Sequence, residues 1–407
     1  MNLASAPVPA ADSPRLYFLD WVRIGAFALL IAYHVGMYYV SWDWHVKSPN
    51  ASPALEPFMR LSEPWRMGLL FVVSGAAASL MLARGGASPS FLRARTGRLL
   101  LPLLLGMAIV VPPQAYFEVV EKAGYGGSYL DFLALYFSGY GSFCQGKDCL
   151  VLPTWNHLWF LPYLFFYTGL LWATLRRWPD VIDGLAAVLG RWLAGAGLWL
   201  LPLIVLALLR ILLLSRFGST HALIDDWHNH AVYGFLFVLG VGLVRAPALF
   251  QRMAEGRWAA LLTALCCWGL LQWYFAIYEH LPPPDGLRAF QRGVHATLQW
   301  TAIMAVLGFA RRHLDADHRW RAPLNEAVFP CYILHQTLII LGAVALRGLQ
   351  LPVVVEVPLL LALAFGGSLL GWRLLRRVPL LHPWFGIASS ARQPLPAAAK
   401  RGASPRD

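Results

Sequence analysis

Two side chains in the first apolar stretch, YFLDWVRIGAFALLIAYHVGMYYV, do not belong in hydrocarbon: Arg23 and His34. They are eleven positions apart. On an α-helix that is three turns plus about 20°, so both leave one face about 16 Å apart along the axis. Asp20, three residues before Arg23, is placed to neutralise it locally. A guanidinium near one mouth with an imidazole deeper on the same stripe suits chemistry in which a charged donor is anchored at one end and a proton moves at the other. Each residue also has a plainer reading. Arg23 can snorkel to the headgroups, and His34 can serve as an interhelical hydrogen-bonder. The shared face weighs toward chemistry.

Other positions extend this pattern. SFLRARTGRLLLP places Arg93, Arg95 and Arg98 within six residues, a fork for phosphate oxygens or simply loop charge that sets topology. Ser74-Gly75-Ala-Ala-Ala-Ser79 suits close helix packing, or a thin wall past which a long substrate arm could slide. His157, in TWNHLWFLPYL, falls among interfacial tryptophans, and His335 lies among apolar residues in CYILHQTLII. The run Asp225, Asp226, His228, His230 is read as an outward polar surface for a glycan. Its histidines stand at i and i+2 and do not share a helix face, so no metal site is assigned. Cys144 and Cys149, five residues apart in a long connection, form either a small disulfide loop on an oxidising face or two free thiols. Cys266, Cys267 and Cys331 lack metal-ligand spacing and read as packing residues.

The elements that must hold these groups are membrane helices. Of 407 residues, 58% are hydrophobic and only 13% charged, with 18 Trp and a mean hydropathy of +0.54, far from a soluble domain. Ten apolar blocks long enough to cross about 30 Å of hydrocarbon are read at 17–40, 62–83, 99–119, 156–175, 196–214, 228–246, 258–278, 292–310, 326–346 and 352–373. The fold class is thus an all-α polytopic integral membrane protein of about ten transmembrane helices. Of the 33 Lys and Arg, 22 fall on the side shared by both ends and 8 on the other, so both termini are expected in the cytoplasm. The net charge of +12 is dispersed between apolar blocks, which argues against nucleic acid. Residues 1–15 and 386–407 read as disordered cytoplasmic ends, the first without the features of a cleavable signal peptide. A transporter or flippase for an envelope precursor is the principal alternative to an enzyme, although no internal repeat supports it.

Taken in order, YFLDWVR…H with its Arg-x10-His spacing, WDWHVKS, WRMGLLFVVSG, the Arg-x-x-Arg segment, HLWFL and YILHQTL resemble the membrane-bound acyltransferase 3 family over residues 16–385. The likeness is to its glucans biosynthesis protein C branch, which modifies osmoregulated periplasmic glucans by succinyl transfer. The resemblance implies a multi-pass protein of the bacterial inner membrane that moves an acetyl or succinyl group from cytoplasmic acyl-CoA to a hydroxyl of a periplasmic glycan or related envelope acceptor, with no bound cofactor. It makes His34 the catalytic residue, base or acyl carrier, and Arg23 the motif arginine beneath it. Arg95 and Arg98, flanked by Arg93, match the acyl-CoA-binding pair. Trp44, His45, Arg66, His157 and His335 match positions recurring in the glucan branch and are expected on the acceptor side. A carboxylate partner for His34 is not identified in this way; Glu326 and Glu63 are the candidates.

Overall fold

The computed structural model describes residues 16–146, 148–279 and 281–387. The expected disorder of residues 1–15 and of the tail from 388 lies outside the described residues.

The chain forms a helical bundle with one short hairpin. In order come α1 (Tyr17–Tyr39), α2 (Glu56–Gly85), α3 (Pro89–Leu105), α4 (Pro112–Ala123), α5 (Tyr129–Ser138), strands β1 (Cys144–Gln145) and β2 (Asp148–Cys149), and α6 (Phe160–Arg177). Then follow α7 (Val181–Trp192), α8 (Gly197–Phe217), α9 (Trp227–Leu243), α10 (Pro247–Glu255), α11 (Arg257–Ile277), α12 (Asp285–His313), α13 (Arg321–Arg347) and α14 (Val353–Leu375). Among the described residues, eight helical spans, counting α6 together with the 3-10 turn before it, are long and apolar enough to cross a membrane, and ten if two bent pairs each count as one crossing. The bent pairs are α3 with α4, at 45°, and α9 with α10, at 106°. The helix expected at 99–119 is therefore broken. Pro102 in α3, a π-turn over Gly106–Val110 and Pro112–Pro113 interrupt its hydrogen-bond ladder.

Antiparallel neighbours collect the arginine-rich connections on one face. At this basic face Asp20 of α1 meets Arg321 of α13, Trp172 of α6 donates to the Ser88 carbonyl, and Arg376 pairs with Glu326. At the opposite face Arg347 reaches Glu121 and the Lys47 carbonyl, and Trp268 donates to the carbonyl of Pro57. Helices α12 and α13 are the most enclosed, whereas α8 and α14 lie at the periphery. Leu200, Ile204, Leu208 and Leu212 form an exposed i, i+4 stripe along α8, the outward apolar face a bilayer requires.

The closest helix contact joins α2 to α9. A Cβ on Gly75 would strike the Phe237 carbonyl, and one on Gly240 the Val72 carbonyl. The small-residue run at Ser74–Ser79 is thus a packing seam between these two helices. Beyond the opposite face, α4, α5 and the hairpin form a cap around Phe132, Tyr136 and Phe143. A disulfide joins Cys144 to Cys149 across the hairpin.

Candidate active site

The centre of the bundle is built on α1 and α13, with the α3–α4 break and the turn before α6 closing one side. His34 points from α1 to α13. Its Nδ1 lies 2.9 Å from Nε2 of His335, and the rings stack with centroids 5.0 Å apart. The tautomers follow from the surrounding partners. Nδ1 of His335 lies 2.7 Å from the Tyr332 carbonyl oxygen one turn back in the same helix. A carbonyl only accepts, so that nitrogen carries the proton and Nε2 of His335 offers a lone pair. The Nδ1–H of His34 donates to it. Nε2 of His34 is left as an unprotonated ring nitrogen with no hydrogen-bond partner among the described residues, on a side chain only partly covered.

The same accounting occupies the other histidines. His157 is buried within the protein, in a 3-10 turn over Asn156–Trp159. Its Nε2 is placed to donate to the Ile333 carbonyl at 3.1 Å, and its Nδ1 accepts from Nε2 of Gln114 at 3.3 Å. Its ring meets His335 edge-on, with centroids 5.0 Å apart. His45 accepts at Nε2 from Nε2 of Gln336 at 2.8 Å and donates from Nδ1 to Oε2 of Glu118 at 2.5 Å. Trp44, also buried, packs edge-on against His45.

A set of amides binds these rings together. Oε1 of Gln114 accepts from Gln336 at 3.0 Å and from Asn156 at 3.1 Å, and its Nε2 also donates to the Thr337 hydroxyl at 2.7 Å. Thr337 in turn donates to the Val110 carbonyl that the π-turn turns inward. Sequence reasoning missed Gln114, Glu118, Gln336 and Thr337. The signal was available: each is a polar residue within an apolar span, where an unpaired amide or carboxylate is costly.

The carboxylate candidates for His34 are corrected. Glu326 pairs with Arg376 and accepts from Trp372, while Glu63 lies 3.4 Å from His295. The partner of His34 is another imidazole. Asp20 likewise does more than neutralise Arg23: it pairs with Arg321 at 2.5 Å while its charge still acts on Arg23.

At the basic end of the same α1 stripe, Arg23 donates to the Asn325 carbonyl at 3.2 Å and lies within electrostatic reach of Arg98. The Arg93–Arg98 segment is helical from its start, since Ser88 caps α3 by accepting from the Phe91 N–H. On a helix Arg95 and Arg98 stand at i and i+3 on one face, whereas Arg93 is about 200° from Arg95. Arg95 is buried, and its Nε has no hydrogen-bond partner among the described residues, whereas Arg93 and Arg98 are both exposed. Helix facing sets Arg95 and Arg98 together, and their charges and that of Arg23 act on one another, while Arg93 stands on another face.

Toward the opposite end, the Arg66 guanidinium covers the Tyr33 ring, 3.3 Å from its centroid, next to His34. Within the run from Asp225 to His230, Asp226 has a structural role. Asp226, fully buried, accepts from Tyr163, Asn229 and the backbone N–H groups of Thr220 and His221. Burial alone would raise this carboxyl, but those hydrogen bonds outweigh it and hold the group below the usual carboxylate range. They also fix a loop in which His221, Leu223 and Asp225 all have positive φ. The His221 ring packs 4.2 Å from that of Trp159, and burial lowers its imidazole below the ordinary value.

A helical bundle that closes around a histidine pair, with cations at one mouth and aromatic and amide groups at the other, is a multi-pass membrane protein with a candidate site between its faces. Residues 16–373 match the acyltransferase domain of the acyltransferase 3 family. The chain belongs to that family. It is 29% identical over 171 residues to glucans biosynthesis protein C of Escherichia coli strain K12, and equally to that of strains O1:K1 / APEC and O9:H4 (strain HS). Each alignment covers 42% of this chain and 41% of the relative, so less than half the length of these curated relatives is matched. No solved structure matches.

Proposed function

We propose that this protein is an acyltransferase that carries an acyl group, acetyl or succinyl, from acyl-CoA at the basic, cytoplasmic face to a hydroxyl of an envelope glycan at the other face, and that it does so in the bacterial inner membrane. One observation carries the reading: among the four histidines of the cluster, only His34 keeps a ring nitrogen without a protein partner. It also shares a helix face with Arg23.

The donor's phosphates dock at Arg95 and Arg98, with Arg23 at the entrance. A pantetheine arm spans the interval of about 16 Å from Arg23 to His34 and presents its thioester beside Nε2. The acceptor hydroxyl gives its proton to that nitrogen as its oxygen attacks the thioester carbonyl. The tetrahedral intermediate then expels the thiolate, breaking the C–S bond, and His34 returns the proton to sulfur. No net proton is gained or lost. While His34 is an imidazolium, its Nδ1–H bond to His335 becomes charge-assisted, so the acceptor imidazole steadies the charged form. His335 is thus a positioning residue. Gln114, Gln336 and His157 hold the surrounding groups in place. The acceptor enters past Trp44, His45 and Arg66. Relatives named for glucan biosynthesis make a glycan acceptor the first choice.

Mass spectrometry of envelope glycans from a deletion strain and its parent tests the reading. An ester mass lost on deletion and restored by the intact gene is expected. Identical ester content in both strains would contradict it.

A further inference from the structure

A second polar cluster lies beside the histidine pair, on the side formed by α2, α8, α9 and α12. Glu63 of α2 reaches His295 of α12, with Oε2 3.4 Å from Nε2. The charges of Arg66 and Arg210 both act on Glu63, and that of Arg210 also acts on His228 and His295. Arg66 bridges this cluster to the reaction centre through its stacking on Tyr33, whose ring in turn packs edge-on against that of His34.

The depth is that of the outer half of the spans. Glu63 and Arg210 each stand seven residues, about 10 Å, inside the helix ends at Glu56 and Phe217. Phosphates of a donor held at Arg95 and Arg98, near the other end of the bundle, do not reach this level.

The hydrogen bonding is one-sided. Nε and Nη1 of Arg66 and Nε of Arg210 are N–H donors buried without hydrogen-bond partners among the described residues, and a neutral His228, both of whose ring nitrogens are likewise unpartnered, offers one N–H more; His295 gives its Nε2–H to Glu63, so its free Nδ1 is a lone pair and no donor. His228 and His295 are only 4% and 5% accessible. A structural ion-pair cluster would match donors with acceptors, because an unpaired buried donor is costly. Here two guanidiniums meet a single carboxylate, and that carboxylate is already engaged with His295. Glu63 nevertheless keeps 44% of its side chain accessible. What the two guanidiniums and the His228 N–H lack is an oxyanion, and planar guanidinium forks are its usual receptors.

We infer that Arg66, Arg210 and His228 form an oxyanion-binding subsite, adjoining His34, that holds a carboxylate or phosphate group carried by one of the two substrates, while His295 holds Glu63 aside. The inference rests on the proposed transfer reaction for the word substrate, but the subsite itself is a binding claim. By filling the subsite, the anion would fix the substrate's reacting end beside Nε2 of His34, and a neutral analogue would leave the donors unpaired.

The test uses the full chain in detergent, titrated with inorganic phosphate and with succinate while thermal stability is followed. Stabilisation by at least one of them is expected in the parent protein, in Arg216→Ala, which removes an exposed arginine at the same face, and in His34→Gln. It should weaken at least tenfold in Arg66→Ala and Arg210→Ala and recover in part in Arg210→Lys, which keeps the charge if the alanine variant is poorly folded. Equal stabilisation in the parent, Arg66→Ala and Arg210→Lys with no loss in Arg210→Ala, or none in the parent, would overturn the subsite. Binding that persists in an inactive His34→Gln keeps this result separate from the fate of the transfer reaction. In turnover assays, inhibition by the bound anion competitive with the acceptor places the charge on the acceptor, and inhibition competitive with the thioester places it on the acyl group. Inhibition competitive with neither would overturn its role as a substrate subsite.

Discussion

At the scale of single residues the account turns on how four imidazoles share their nitrogens. His157 and His45 each have one nitrogen donating and one accepting, so neither has a lone pair to spare. His335 gives its proton to a main-chain carbonyl and its lone pair to His34. This makes His335 a device for orientation. Replacing it with leucine removes the acceptor for Nδ1–H and lets the His34 ring turn, and kcat for ester formation should fall about 100-fold. The KM for the thioester should stay within about twofold, because no donor contact is lost. His335→Asn, which offers an amide oxygen to the same proton, should recover part of the loss. Steady-state kinetics on membranes of matched expression read all three. An unchanged kcat in the leucine variant would remove His335 from the mechanism. His34 was legible in the sequence because a buried imidazole with an arginine on its own face is hard to explain otherwise. Its partner was not. His335 is 301 residues away, and spacing along one helix says nothing of which helix stands opposite.

At the scale of elements, regular helices were read well and departures from regularity were not. The spans at 17–40 and 326–346 fall on α1 and α13 within a few residues. The block at 99–119 became a helix, a π-turn and a second helix, because two prolines in succession and a glycine at the break cannot keep the ladder intact. That break matters to the site, for it frees the Val110 carbonyl to receive Thr337 and swings Gln114 inward. Helicity likewise decides how the three arginines are presented. As a loop, Arg93, Arg95 and Arg98 would be equivalent, but on α3 they divide between two faces. Arg95→Ala combined with Arg98→Ala should therefore raise the KM for acyl-CoA by about tenfold or more, while Arg93→Ala should alter it by less than about twofold. Initial rates at varied acyl-CoA discriminate the two. An equal effect of Arg93→Ala would return the segment to a diffuse patch of charge.

At the scale of the molecule, the bundle has a polar interior and an apolar rim, and its polarity is organised along α1. The basic face carries the arginine-rich connections, the middle carries His34 and His335, and the opposite face carries the amide and aromatic groups under a disulfide-closed cap. Class and span positions could be read from hydropathy and charge because a bilayer imposes both on the chain. The interior network could not, since it depends on contacts between α1, α4, α6 and α13 that the order of residues leaves open. Such an arrangement makes sense if the two substrates never share a compartment. The direct test is acyl transfer across sealed vesicles, with labelled acyl-CoA at the basic face and a glycan acceptor at the other. The intact protein should form ester on the acceptor side and release one thiol per ester on the donor side. His34→Gln, reconstituted to the same amount and thermal stability, should lower both about 10²- to 10⁴-fold. Transfer by His34→Gln within about twofold of the intact protein would contradict the assignment of Nε2 of His34 as the group that moves the proton.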